Sequence, residues 1–116
     1  MKRCKILMKN KKEFYVMVAD NFFTRFRGLI ARNLSENEGM LLCPCNQIHC
    51  FFMSYPIDAI YLSDKWSVIK VDKSMKPGSI GRRVKNCRYV LELPAGASSE
   101  NGIVTEDKLY LLNMEG

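Results

Sequence analysis

From residue 40 onward the chain is cut into short apolar or alternating runs, each closed by a turn former. "MLLC", "IHCFFM", "DAIYLS", "SVIKV", "RYVLEL" and "KLYLL" are separated by Pro44, Pro56, Asp64-Lys65, Pro77-Gly78 and Pro94-Ala95-Gly96. Runs this short cannot hold an apolar stripe through several helical turns, but they suit strands of ordinary length. Two more runs, "CKILMK" and "EFYVMVA", flank "NKK" and predict a β-hairpin at the N-terminus. A second tight hairpin is expected around Asp64-Lys65. Between these strand-like regions, Asp20 is a good N-cap, and Phe22, Phe23, Phe26, Leu29 and Ile30 recur at helical spacing until Gly28 weakens the last turn. The pattern predicts a mostly β (α+β) fold: a small, antiparallel, barrel-like sheet capped by one α-helix over about residues 21–31.

At 116 residues, this is a single domain, 1–116, large enough to bury one core without metal or disulfide staples. No apolar run approaches the ~20 residues of a bilayer span. The basic start "MKRCKILMKNKK" holds only Ile6-Leu7-Met8 as an apolar run, too short for a signal peptide. Five cysteines, an odd number at irregular spacing (4, 43, 45, 50 and 87), read as free thiols of a reducing compartment. A cytoplasmic protein without disulfides is the expectation.

The motifs "RFRGLIARNLSENEGMLL", "PCNQIHCFFMSYPIDAIYLSDKWSVIKV", "YVLELPAG" and "GIVTEDKLYLL" occur in that order. Together they resemble the bacterial and archaeal family called domain of unknown function 192, from about residue 14 to the C-terminus. Arg27-Gly28-Leu29, Gly39-Met40-Leu41, Met53 with Pro56-Ile57-Asp58, and Val90-Leu91-Glu92-Leu93 with Ala95-Gly96 carry the resemblance most specifically. It implies a small, mostly β domain with one helix, and no established activity. The chain departs from the family in having Phe51-Phe52-Met53 where members commonly show an aromatic-Trp-Met core. It also has Glu106-Asp107 in place of a Gly-Asp, and no leader or lipoprotein segment of the kind many relatives carry is expected from its basic start.

The densest chemistry is "CPCNQIHCFFM", which holds three of the five cysteines and the single histidine. Along a strand, His49 and Met53 share a face, with Cys50 on the other. Pro44 places Cys43 and Cys45 in a bend, which could fold Cys45 back beside His49. Cys45 and His49, with Met53 or Cys43, would form a soft ligand set suited to Cu(I) or Zn, yet no second cysteine pair completes a common zinc motif. Cys45 with His49 and Asp58 has the residue types of a thiol triad but no surrounding nucleophile motif. No metal, cofactor or catalytic residue is therefore assigned. Asp58 and Glu92 stand out more sharply, because each puts a carboxylate inside an apolar run where an unpaired charge would cost several kcal/mol. Arg27 is the natural ion-pair partner for either one.

The net charge of +6 is concentrated in residues 1–12 and 64–88, each of which carries a surplus of six cations. Trp66 beside the second segment reads as a packing residue, since no recognised nucleic-acid motif surrounds it. The leading reading is a non-catalytic binding or accessory domain, taking a protein partner or small ligand at a pocket formed by Cys45, His49, Met53, Asp58 and Arg27. The alternatives are a small Cys/His or metal-dependent enzyme at the same place, and a nucleic-acid or acidic-surface binder acting through residues 1–12 and 64–88.

Overall fold

The first hairpin forms as the alternation requires. Strands β1 (Lys2–Leu7) and β2 (Glu13–Ala19) pair antiparallel from Lys2↔Val18 to Leu7↔Glu13. Its turn is closed by two backbone hydrogen bonds between Met8 and the Lys11–Lys12 pair, each 2.9 Å. The computed structural model describes residues 2–19, 34–48 and 55–115. Both the helix expected over 21–31 and the "HCFFM" part of the expected strand lie outside the described residues.

Five further strands follow: β3 (Glu38–Leu42), β4 (Ile57–Leu62), β5 (Val68–Met75), β6 (Tyr89–Pro94) and β7 (Tyr110–Glu115). All seven belong to one sheet in the order β5-β4-β6-β3-β2-β1-β7. Every pairing is antiparallel except β2 with β3, which run parallel from Tyr15↔Glu38 to Ala19↔Leu42. A parallel neighbour needs a long crossover, and residues 20–37 are long enough to make one.

The sheet curls until its ends meet. Val68 donates to Asp107 O (2.8 Å), Glu106 donates to Val68 O (2.8 Å), and Leu109 donates to Trp66 O (3.0 Å), with a Ser67↔Lys108 bridge among them. These bonds join the start of β5 to the approach of β7, so the fold is a curled, half-barrel sheet. The expected hairpin around Asp64-Lys65 is present, with Trp66 at φ 66° stacked on Tyr89 (centroids 4.2 Å apart).

Both faces of the sheet are covered. Ile6, Phe14, Val16, Leu41, Ile60, Leu62, Leu91 and Leu93 fill the concave core. Met40, Leu42, Ala59, Tyr61 and Val90 form a second cluster with Ile48, Met75 and Val84 from the covering loops. Strand β4 is consequently buried at all six positions. A one-residue slip of its register would exchange the two faces and put Asp58 where Ala59 now sits.

One short helix, α1 (Ala97–Glu100), lies where the sequence reads only as a turn. Four residues carry no helical period, so apolar patterning could not have revealed it. Its entry is set by Gly96 at φ 95°, a left-handed conformation that costs glycine nothing.

Candidate functional site

Asp58 and Glu92 lie on neighbouring strands but face opposite sides of the sheet. In the β4–β6 register Asp58 stands opposite Leu93, and Glu92 stands opposite Ala59. Successive residues alternate faces, so Asp58 joins the side of Leu93 while Glu92 joins the side of Ala59 and its other cross-strand neighbour, Met40.

Asp58 is fully buried and accepts three hydrogen bonds among the described residues. Its Oδ1 takes the Ser74 N–H at 2.9 Å, and its Oδ2 takes both the Ser98 N–H (2.9 Å) and the Ser98 hydroxyl (2.6 Å). The first donor exists because β5 bulges. Ile57 faces Met75 and Ala59 faces Asp72, so both Lys73 and Ser74 stand opposite Asp58. The extra residue, with Ser74 at φ 50°, frees an N–H from the ladder and turns it to the carboxylate. The second donor is a first-turn amide of α1, one of the N–H groups that no intrahelical carbonyl can reach. The helix has no side-chain cap of its own, and Asp58 caps it from across the sheet. The "PIDA" and "LPAG" motifs are thus two halves of one structural unit. The sequence points to Arg27 as the partner and not to Ser74 or Ser98; the one signal for Ser98 is a small polar residue just after the Pro-Ala-Gly turn.

Glu92 has a different environment. It is 2% exposed, and its Oε2 has no hydrogen-bond partner among the described residues. Burial without compensation pushes its carboxyl up to about 8, so at neutral pH it is mostly a neutral acid able to donate a proton.

Two of the described thiols donate to backbone carbonyls. Cys45 hydrogen-bonds through its thiol to Gln47 O (3.1 Å), and Cys87 to Tyr89 O (3.2 Å) and Cys45 O (3.4 Å). Burial pushes the thiols of Cys4 and Cys87 up to about 11, away from the thiolate that nucleophilic or ligand chemistry needs. Cys4, Cys43, Cys45 and Cys87 are not joined by disulfides among the described residues. Among the described residues, no group of three or more His, Cys, Asp or Glu is placed to hold a metal ion. Arg27, His49 and Met53 lie outside the described residues, so of the five expected pocket residues only Cys45 and Asp58 are located. Those two sit in different settings. Cys45 packs with the loop cluster on the Glu92 side of the sheet, and Asp58 is locked to α1 and the β5 bulge.

The Glu92 side is roofed by the loop joining β5 to β6. Tyr61, completely buried, donates its hydroxyl to Asp72 (2.9 Å), and Asp72 also pairs with Lys70 (3.3 Å). Gly81 lies so close above this phenol that a Cβ there would stand 2.7 Å from its oxygen. Only glycine lets the loop settle that closely.

A curled seven-stranded sheet, with one carboxylate built into its frame and another whose Oε2 has no partner among the described residues, defines a small β domain. The chain belongs to the DUF192 family, whose model, described as "Uncharacterized ACR, COG1430", matches residues 5–111. A UPF0127 protein of Pyrococcus abyssi is 32% identical over 104 residues, covering 85% of this chain and 87% of that protein. A UPF0127 protein of Thermococcus sibiricus is 31% identical over 86 residues; the match covers 70% of this chain and 55% of that longer protein. The fold is also similar to a crystal structure from Novosphingobium aromaticivorans of a protein of unknown function. That match has TM-score 0.80 and 20% identity, and covers 93% of this chain and 83% of the other. A Sinorhizobium meliloti crystal structure matches with TM-score 0.79 and 21% identity over 95% of this chain and 92% of its own. These likenesses establish the family and the fold. No described helix is long and apolar enough to cross a membrane.

Proposed function

We propose that the domain is a non-catalytic binding module whose ligand site lies on the Glu92 side of the sheet. In this reading Cys45 borders the site, and His49 and Met53 are its further contacts. Asp58 passes from the ligand set to the frame. The observation that carries the reading is the buried Oε2 of Glu92, unpartnered among the described residues, since an unsatisfied buried oxygen costs about 1–3 kcal/mol until something bonds to it. The matching ligand is a small molecule or peptide end bearing an amine or guanidinium, which would convert the neutral acid into a paired carboxylate. The enzyme reading needs a thiolate at Cys45, whereas this thiol donates to the carbonyl of Gln47. A cytoplasmic setting goes with the proposal and rests on the odd, irregularly spaced cysteines.

Calorimetric titration at pH 7 with agmatine and with methylguanidinium tests it. Saturable binding with release of about one proton, lost in Glu92→Gln, is the expected result. Binding unchanged by that substitution, or no saturation by either probe, would overturn the site.

A further inference from the structure

The loop between β5 and β6, with the end of β5 before it, carries a second feature with no role in the site above. Residues 73–88 contain six cations, Lys73, Lys76, Arg82, Arg83, Lys85 and Arg88, and no Asp or Glu. All six are exposed, and none is paired with a carboxylate among the described residues. The N-terminal cations are differently placed. Lys9 pairs with Asp107 (3.6 Å), and Lys5 and Lys12 lie over the rings of Tyr15 and Phe14.

The loop backbone is also fixed. Gly81 N–H donates to Ile48 O (2.9 Å), Val84 N–H to Asn46 O (2.8 Å), Cys45 N–H to Arg88 O (2.9 Å) and Arg88 N–H to Leu62 O (2.8 Å). The Gln47 side chain adds a bond to Gly81 O at 2.9 Å. Gly81 and Val84 are buried beneath, while Arg82, Arg83, Lys85 and Arg88 project into solvent. The cations are therefore carried close together in sequence on a segment whose backbone is anchored to its neighbours. Unpaired like charges repel one another, and a group of them is relieved by a polyanion. The segment has no aromatic residue, and the nearby Trp66 and Tyr89 rings stack on each other, so the ridge itself carries no ring for an unstacked base. Phosphate contact without base contact is the remaining chemistry.

We propose that this ridge binds the phosphate backbone of double-stranded nucleic acid without reading its sequence. The test measures fluorescence anisotropy of a labelled random-sequence duplex of about 20 base pairs between 50 and 200 mM salt. Wild type is compared with Arg82→Ala/Arg83→Ala/Lys85→Ala and with Arg3→Ala/Lys9→Ala/Lys11→Ala, which removes the same charge from the hairpin. Thermal melts establish that both variants are folded. The ridge variant should bind at least about tenfold more weakly at low salt, with the log–log salt slope reduced by about 2–3, while the hairpin variant stays within about twofold. Equal weakening by both variants would reduce the effect to net charge and overturn the proposal. So would a single strand that outcompetes the duplex, the absence of duplex binding at 50 mM salt, or binding confined to phosphatidylserine vesicles.

Discussion

Asp58 and Glu92 are two buried carboxylates, one register step apart on adjacent strands, and the sheet treats them in opposite ways. Asp58 meets three donors and holds together a strand bulge and a helix start. Glu92 meets none among the described residues and keeps its proton. Burial is nearly the same, 0% and 2% exposed, so burial does not separate them. The difference lies in which side of the sheet each faces. On one side a bulge and a helix end supply main-chain N–H groups that have no other acceptor. On the other side, among the described residues, lie methionines, an alanine and a loop whose Gly81 and Val84 amides are already bonded to Ile48 and Asn46. A buried carboxylate indicates a frame or a site only once its donors are counted.

The largest expected effect concerns Glu92 and pH. Below about 4.5 the carboxyl is protonated in both folded and unfolded chains and contributes nothing. As pH rises from 4.5 to about 8, the unfolded chain loses the proton while the folded one keeps it, so stability falls, and above 8 the loss levels off. The integrated loss is roughly 4–5 kcal/mol. Glu92→Gln keeps the shape of the neutral acid and removes the titration. The stability of wild type relative to this variant, followed by urea melts from pH 4.5 to 8.5, should decline by that amount. A flat difference, or a variant less stable than wild type at pH 8, would mean that a cation such as Arg27 already pairs with Glu92. The two carboxylates would then be alike.

Asp58 should respond in the opposite sense. Asp58→Ala strands the Ser74 and Ser98 amides and the Ser98 hydroxyl, and should cost about 2–4 kcal/mol in a urea melt at pH 7. A more stable variant would return Asp58 to the ligand set. Ser98→Ala removes only the hydroxyl and leaves its N–H bond to Asp58. It should therefore cost less, about 1–2 kcal/mol, and its effect should vanish in the Asp58→Ala background, a double-mutant cycle that isolates this contact.

Much of this was legible in the sequence. Each of the seven strands overlaps an apolar run, because alternation and Pro/Gly punctuation are local signals. Both carboxylates stood out because an acid inside such a run is anomalous wherever the strand ends up. What could not be read was their difference. The donors to Asp58 lie 16 and 40 residues away, and two of the three are backbone N–H groups, present in every residue type but proline. The parallel β2–β3 pairing and the closure of the sheet were hidden for a related reason. Both depend on the path of the chain between elements, and residue pattern does not encode that path.

The smallest prediction concerns that closure. Glu106 sits at φ 77°, donating its N–H to Val68 O, and the next residue's carbonyl accepts the Val68 N–H. This two-bond clasp ties the sheet's ends together, and it holds a residue with a Cβ in left-handed backbone, which costs about 1–2 kcal/mol. The resemblance to the family places a glycine where this chain has Glu106, and glycine adopts that conformation without the steric cost. The Glu106 side chain is exposed and makes no described contact that would be lost. Glu106→Gly should thus relieve the strain, partly offset by the greater freedom of glycine in the unfolded chain, for a net gain of about 0.5–1 kcal/mol. Glu106→Val should shift the midpoint the other way, since a β-branched side chain is least tolerated at positive φ. If Glu106→Gly leaves the urea midpoint unchanged, the clasp carries no strain. Hydrogen exchange at Val68 and Glu106 would then show whether these bonds open together with the sheet or before it.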